Sequence, residues 1–512
     1  MSSRNRWECS VPAEHQPTPR PTGQGPVEPA HRASPAAGLP RPIMTRRGVL
    51  STAAHLGVGA LLAGCATDGA DATVDFAAAR DGSELSEVSF GSCISTYSGD
   101  GENVNIVKGS AADSAAWRAT LGGLGPLVWR IPLAWHGGSP GSSAGGARSY
   151  GDAGDYVSAI RSIGGTPVVV VGGTTGDNDI LADDAAALVR YFNDDGGRHG
   201  GPVDHWIIGN EPDNGGDAAF GMAAYIHGGK GGSGFSTIVG AMRAATSRTL
   251  EIAGPSLVSY ASWNKDLYDA FLDACGHDVD VVDFHLYEGA DLPRYSDAVT
   301  GLQQAVASRP HTAGRVGVQL GEYNWMWRYE EPHHGAGQFY TSRNTVAGAC
   351  TIGRLVEQGG RAYQYSDNNG PLGLITPGGA NNGAPASHRL PTPAYYGLKM
   401  WTGGDLFRRP TGSMAACTTA LPEVELFAST GQKNVVLVNK SLSRAHDVVL
   451  AVRGVPASGS YEVWQTVRGM DPSDSAGAQW QDPVRVDSGS YRNGRIAFPS
   501  PATTVTTVLI DG

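Results

Sequence analysis

The chain has 512 residues, of which 40% are apolar, 17% are charged and 72 are glycine, and its net charge is −11. This length suits one large domain with an accessory module, and the apolar fraction is ample for a hydrophobic core. The acidic balance argues against nucleic acid as a partner, because nucleic-acid-binding proteins present basic surfaces to the phosphates.

Residues 1–65 are not expected to belong to a folded domain. Residues 1–43 are rich in Pro, Arg and Ser without periodicity, which is typical of disorder. Arg46 and Arg47 then precede a short apolar run that resembles a twin-arginine export signal. The run ends in Leu-Ala-Gly-Cys65, which resembles a bacterial lipobox, so we expect Cys65 to be acylated and to anchor the protein in a membrane. A simple cleaved signal peptide is the alternative.

The segment that follows, residues 66–87, is rich in Ala, Asp, Thr and Gly, and we expect it to be a tether. From residue 88 onwards, short apolar runs alternate with segments of helical periodicity. The runs predict eight strands, at residues 88–90, 127–133, 167–171, 203–208, 250–253, 279–285, 316–320 and 361–365. Helices are predicted at residues 112–124, 154–163, 179–192, 263–274, 296–307 and 338–357.

This alternation indicates a parallel sheet with right-handed crossovers, and eight such units close into a (β/α)8 TIM barrel over residues 88–404. A doubly wound open sheet is the alternative, but no Gly-x-Gly-x-x-Gly turn follows the first strand. Active sites of the barrel fold lie at the carboxyl ends of the strands. We therefore expect the functional residues at those ends.

Two glutamates lie at the ends of predicted barrel strands. Glu211 follows the fourth strand in Asn210-Glu211-Pro212, and Glu322 ends the seventh run after a glycine. Retaining glycosidases need a carboxylic acid that protonates the leaving oxygen and a second carboxylate about 5–5.5 Å away. The amide of Asn210 could also bond a sugar hydroxyl. An ordinary turn at Glu211 and a buried, satisfied Glu322 are the alternatives, although burying a carboxylate without a function costs free energy.

Further candidates follow other strands. Arg130 in the second strand and Tyr287 after the sixth could hydrogen-bond a carboxylate nucleophile and keep it ionised. His285, Trp135 and Trp325 could line the sugar subsite, since aromatic faces stack on pyranose rings. Packing inside the barrel is the alternative for these side chains. Gly/Ser-rich tracts at residues 137–149 and 228–234 are predicted to be loops that shape a cleft.

The two glutamate motifs resemble those of clan A glycoside hydrolases, which are (β/α)8 enzymes with an acid/base Asn-Glu on strand four and a nucleophilic Glu on strand seven. The region 366–400 is similar to the strand-eight region of family 39, which includes β-xylosidases and α-iduronidases. Families 79 and 51 share the same skeleton. Many clan members carry a Trp at the end of strand eight, whereas this chain has Tyr365 and Asp367.

From residue 405 the apolar pattern changes to period 2. Runs at residues 434–439, 447–452, 461–467 and 503–510 predict antiparallel strands separated by turns. A β-sandwich of residues 405–512 resembles the accessory domain of several clan A families. We expect it to support the barrel, with carbohydrate binding as the alternative.

The sequence predicts neither a cofactor nor a zinc site. The cysteines that remain after export are even in number, and they are either paired or free and buried: Cys93, Cys275, Cys350 and Cys417. The resemblance implies a retaining O-glycoside hydrolase with Glu211 as acid/base and Glu322 as nucleophile, exo-acting on plant or microbial oligosaccharides. The pKa of Glu211 should be high before the sugar is transferred to the nucleophile and lower afterwards. The alternative is a lipid-anchored carbohydrate-binding barrel that has lost catalysis.

Overall fold

The main strands are numbered in chain order, and β1 spans Ala72–Leu85. The computed structural model describes residues 69–511 apart from 96–104, 108, 134, 137–138, 141–149, 173–179, 195–199, 215–216, 230, 261–263, 290, 327–338, 369–370, 377–389 and 468–480. The predicted export signal with Cys65, the side chain of Trp135 and most of the 137–149 tract lie outside the described residues.

Eight parallel strands close into a barrel in which neighbours in the chain are neighbours in the sheet. The strands are β2 (Phe90–Cys93), β3 (Val128–Leu133), β4 (Thr166–Val171), β5 (His205–Ile208), β6 (Glu251–Leu257), β7 (Val281–Leu286), β8 (Gly317–Tyr323) and β9 (Arg361–Gln364). Each overlaps one of the predicted runs. The predicted barrel is therefore confirmed, and the doubly wound alternative is excluded because β9 pairs with β2 and closes the sheet.

The helices of the described residues pack around this barrel. They are α1 (Ala111–Gly122), α2 (Tyr150–Ser162), α3 (Ala182–Asn193), α4 (Ala218–His227), α5 (Phe235–Ala244), α6 (Lys265–Cys275), α7 (Pro293–Ala307), α8 (Ser342–Glu357) and α9 (Pro393–Thr402). The sequence predicted neither α4 nor α5. The α4 sequence has no charged face to reveal a helical period, although Asp217 caps it by accepting from the backbone N–H of Phe220.

Helix α4 lies directly beside the loop that follows β5. The hydroxyl of Tyr225 donates to the carbonyl of Ile208, the last residue of β5 (2.6 Å). A Cβ at Gly221 would overlap the carbonyl of Pro212, so this helix can approach the loop only with glycine there. These contacts fix the segment that carries Glu211.

The barrel interior changes from apolar to polar along the strands. Apolar side chains, among them Val128, Val168 and Val281, form a buried cluster near the strand starts. Farther along β3 and β7, Arg130 and His285 are buried as well. The polar side chains thus collect at the carboxyl ends of the strands, as expected for this fold.

A separate, mostly antiparallel sheet follows the barrel in sequence. Its strands after α9 are β10 (Gly412–Thr419), β11 (Val424–Ala428), β12 (Asn434–Asn439), β13 (His446–Arg453), β14 (Ser458–Gln465), β15 (Val484–Arg492), β16 (Arg495–Ser500) and β17 (Thr504–Asp511). The strand order is β10-β1-β13-β16-β15-β14-β17-β12-β11, in one hydrogen-bonded sheet. Its two edge strands are also consecutive in the chain and are bridged at Met414 and Ser429. The predicted fold class is confirmed.

Strand β1 corrects the prediction of a tether at residues 66–87. It pairs antiparallel with β10 and parallel with β13, so it lies inside the sheet. Ala72, Val74 and Phe76 are buried and alternate with less buried neighbours. This period-2 pattern is present in the sequence, but the many small residues of the segment favoured the prediction of a tether.

The remaining expectations concern cysteines and membranes. Cys93, Cys275, Cys350 and Cys417 are all free thiols, and the first three are buried. Among the residues that the structure describes, no helix is long and apolar enough to cross a membrane.

Candidate active site

Four barrel strands bring the predicted site residues together. Arg130 lies on β3, His285 on β7 and Glu322 on β8, while Glu211 lies in the loop three residues beyond β5. These side chains contact one another at the carboxyl end of the barrel. Tyr287 joins them from the residue after β7.

Both carboxylate oxygens of Glu322 are held by donors. Arg130 Nη1 donates to Oε1, and the hydroxyl of Tyr287 donates to Oε2 at 2.5 Å. Burial lowers the pKa of Arg130, but the charge of Glu322 and further negative groups raise it above the ordinary value, so the guanidinium stays charged. Burial raises the pKa of Tyr287 well above its usual value, so the phenol stays a donor. Glu322 is therefore oriented from two sides with only 7% of its surface exposed.

Glu211 is held through both its backbone and its side chain. Its φ of 48° lies in the left-handed region, and its backbone N–H donates to the carbonyl of Ser256 (2.9 Å). His285 Nδ1 lies 2.9 Å from Oε1, and Asn214 Nδ2 donates to Oε2 (3.0 Å). A non-glycine residue in this conformation is strained, and such residues cluster at functional sites.

His285 determines where the proton of the acid/base group lies. Burial raises the pKa of Glu211, but the hydrogen bond and charge of His285, with smaller contributions from Asn214 and Arg130, hold it below its usual value. Burial lowers the pKa of His285, yet the charge of Glu322 and the hydrogen bond with Glu211 raise it above its usual value. These two directions favour the ion pair of a protonated His285 and an ionised Glu211. This differs from the expected high pKa of Glu211, because the sequence did not show that a histidine faces it.

Of the other predicted residues, Asn210 contacts this centre. Arg130 Nη2 donates to Oδ1 of Asn210 (2.7 Å), which orients the amide. Trp325 is partly buried, and its carbonyl accepts from the backbone N–H of Gly289 (2.8 Å). A Cβ at Gly289 would lie 2.8 Å from the Cα of Trp325, so glycine permits this close approach. Trp135 is the predicted site residue whose side chain lies outside the described part of the chain.

Three residues beside the site were not predicted from the sequence. Asn214 contacts Glu211 from within the same loop. Asp283 precedes His285 by two residues on β7, so the strand period alone places it on the same face. Ser256 reaches Glu211 only through the packing of β6 against β5, which no local pattern reveals.

Glu211, His285 and Glu322 also form the cluster that could hold a metal ion, since one ligand atom of each lies within 4.8 Å of the other two. The guanidinium of Arg130 already donates to Glu322 and would repel a cation there. The residues fit a proton-transfer site better than a metal site.

No family model and no curated protein matches the chain. Among solved structures, the fold is similar to α-L-arabinofuranosidase from Thermotoga maritima, with a TM-score of 0.63, 13% identity and coverage of 86% of this chain and 99% of that one. It is similar to the GH51 arabinofuranosidase from Xanthomonas axonopodis pv. citri, with a TM-score of 0.62, 12% identity and coverage of 86% and 100%. A Paenibacillus polymyxa xyloglucanase from glycoside hydrolase family 44 matches with a TM-score of 0.55, 12% identity and coverage of 86% and 99%. At these identities the similarity shows the fold.

Proposed function

We propose that the protein is a retaining O-glycoside hydrolase with Glu322 as nucleophile and Glu211 as acid/base. The observation that carries this proposal is the spacing of the two glutamates: a carboxylate oxygen of Glu211 lies within 4.8 Å of one of Glu322. Retaining enzymes place their carboxyl groups about 5–5.5 Å apart, whereas inverting enzymes leave about 6.5–9.5 Å for a water molecule. The spacing therefore favours double displacement.

In the first step, Glu322 attacks the anomeric carbon while the bond to the leaving oxygen breaks and Glu211 protonates that oxygen. Arg130 and Tyr287 hold the attacking carboxylate in place. In the second step, ionised Glu211 takes a proton from water, which attacks the same carbon and releases Glu322. Two inversions give a sugar of retained configuration.

His285 supplies the proton of the first step: the proton passes from Nδ1 to Glu211, 2.9 Å away, and from Glu211 to the leaving oxygen. Its positive charge is supported by the nearby carboxylate of Glu322, whose Oε2 lies 3.6 Å from Nδ1. When the sugar is attached to Glu322, that negative charge is lost and the pKa of His285 falls. The pair of His285 and Glu211 therefore holds a proton before the first step and is ready to accept one in the second.

The substrate class rests on the solved structures of similar fold. Those reported above are named as arabinofuranosidases and a xyloglucanase, so we propose plant oligosaccharides containing pentose or glucose units. Three of the similar structures are named as family 51 enzymes, whereas region 366–400 favoured family 39. We therefore propose kinship with this group of barrel glycosidases without preferring family 39.

A panel of aryl glycosides tests the proposal on a protein of residues 66–512. We expect hydrolysis of at least one α-L-arabinofuranoside, β-D-xyloside or β-D-glucoside. Glu322→Gly should be inactive alone and should yield a glycosyl azide of inverted configuration when azide is added. In Glu211→Ala, kcat/KM should fall about 10²–10⁴-fold for substrates with poor leaving groups. It should fall little for substrates with good leaving groups, because these need no proton.

The exposed Glu84 provides the control, since Glu84→Ala lies on β1 and should behave as the unchanged protein. If both active-site variants lose activity equally on all substrates and azide restores neither, the assignment of roles is wrong. Binding of oligosaccharides without turnover by the unchanged protein would support the alternative, a carbohydrate-binding barrel without catalysis.

Exo action is the finer part of the proposal. Products from a series of xylo- or gluco-oligosaccharides distinguish it from internal cleavage. Monosaccharide from the first time point supports release from chain ends, and a spread of mid-length products contradicts it.

A further inference from the structure

Asp283 is a buried carboxyl group that the mechanism above leaves unused. It lies on β7, two residues before His285, and it is 0% exposed. Its Oδ2 accepts a hydrogen bond from the hydroxyl of Ser256. A carboxyl group without access to solvent is costly to bury, so its retention at this depth calls for a function.

The contact with Ser256 leads directly to the acid/base residue. Ser256 is also buried, and its carbonyl accepts the backbone N–H of Glu211 (2.9 Å). Ser256 and Glu211 both have left-handed backbones, with φ of 55° and 48°. Such a conformation is strained in a non-glycine residue and persists only when its surroundings fix it. The bond from Ser256 to Asp283 is one such constraint.

A parallel contact supports the same turn. Asp213, two residues after Glu211, accepts the backbone N–H of Val258 (3.1 Å), which follows the end of β6. The loop of Glu211 is therefore joined to the end of β6 at two points. Asp283 contacts one of these two points, because it accepts a hydrogen bond from the hydroxyl of Ser256.

The carboxyl group of Asp283 also lies against the strand that carries the nucleophile. A Cβ at Gly321 would overlap both carboxylate oxygens of Asp283, so the backbone of β8 lies against this group immediately before Glu322. The φ of Gly321 is outside the left-handed region, and the close approach alone explains the glycine. One carboxyl group thus contacts the supports of both glutamates.

We propose that Asp283 is a positioning residue that fixes the position of Glu211 relative to Glu322 by holding Ser256. This inference rests on the proposed glycosidase function. It predicts that loosening the Ser256 link misplaces the general acid while the nucleophile still attacks.

The test is the dependence of kcat/KM on leaving-group ability in Asp283→Ala, Ser256→Ala and the double variant. In both single variants, kcat/KM should fall at least tenfold for the substrate with the poorest aryl leaving group and less than threefold for the one with the best. The double variant should be no worse than the more affected single variant, because both break one link. Asp283→Asn should restore activity to within threefold of the unchanged protein, since its amide oxygen still accepts from Ser256.

Ser114→Ala, a buried serine on α1 whose hydroxyl donates to Val107, is the matched control and should leave the leaving-group dependence unchanged. Equal losses on all leaving groups, additive losses in the double variant, or a loss in Asp283→Asn as large as in Asp283→Ala would overturn the proposal. If Asp283→Ala fails to fold, Ser256→Ala alone must show the selective loss. Absence of hydrolysis by the unchanged protein would instead contradict the proposed function, so the two failures are distinguishable.

Discussion

His285 is the residue that couples the two glutamates. Its Nδ1 lies 2.9 Å from Glu211 and 3.6 Å from Glu322, and the ring is fully buried. Its Nε2 has no hydrogen-bond partner within the part of the chain that the structure describes. The charge of this ring is therefore governed by the two carboxylates that share its other nitrogen, and each step that changes Glu322 also changes the proton affinity of Glu211.

We expect His285→Leu to raise the pKa of Glu211. The variant removes the hydrogen bond and the charge that favour the carboxylate, and burial, which penalises the charged form, then dominates. Carbon-13 NMR of protein with labelled glutamate measures this pKa, with Glu211→Gln to assign the signal. His277→Leu, an exposed histidine stacked on His311, is the control and should cause no shift. An unchanged or lower pKa in His285→Leu would contradict the role given to this ring.

At the level of elements, β1 shows how a segment distant in sequence completes the second sheet. It lies between β10 and β13, so seven strands of the sheet lie on one side of it and one on the other. Val74 is 0% exposed and belongs to the core of this sheet with Leu450 and Val452. The N-terminal segment is thus part of the folded domain, and its loss would expose edges on both neighbouring strands.

We expect Val74→Ala to lower the free energy of unfolding by about 1–3 kcal/mol, because it removes buried methyl groups and leaves a cavity. Glu84→Ala on the same strand is exposed and should change it by less than about 0.5 kcal/mol. Denaturant unfolding of the two variants checks this difference. Equal stability of both would mean that the segment is a tether after all.

The elements that the sequence predicted share one property. The barrel strands are short apolar runs, and Glu211 and Glu322 each follow a run that reaches a glycine, so local pattern was sufficient for them. Helix α4 was missed because its face toward solvent is not charged. Ser256 was missed for a different reason, since its carbonyl meets Glu211 only when β5 and β6 pair. Contacts between strands that are separated in sequence leave no local trace.

For the whole molecule, the barrel and the second sheet pack against each other within one compact unit. Arg354 on α8 forms a two-pronged ion pair with Glu425 on β11 (2.8 and 2.9 Å). Lys399 on α9 is buried beside Asp482, which precedes β15 (2.9 Å). These contacts fix the second sheet on helices that flank the last barrel strands. They favour the expectation that this sheet stabilises the barrel.

We propose that the exported protein is held at a membrane through acylated Cys65, which precedes the folded unit. Cys65→Ala should move the protein from the membrane fraction to the soluble fraction, because acylation supplies the anchor. Cell fractionation measures this distribution, and Cys417→Ala should leave it unchanged. A Cys65→Ala protein that stays fully membrane-bound would refute the anchor.

The proposed mechanism requires Glu322 to form a covalent bond to the sugar. A 2-deoxy-2-fluoro glycoside of the sugar identified by the aryl glycoside panel slows both steps and allows the intermediate to accumulate. Peptic digestion and mass spectrometry should then find one fluoroglycosyl group on the peptide that contains Glu322. A label on another residue, or continued turnover with inverted product and no label at all, would contradict the mechanism.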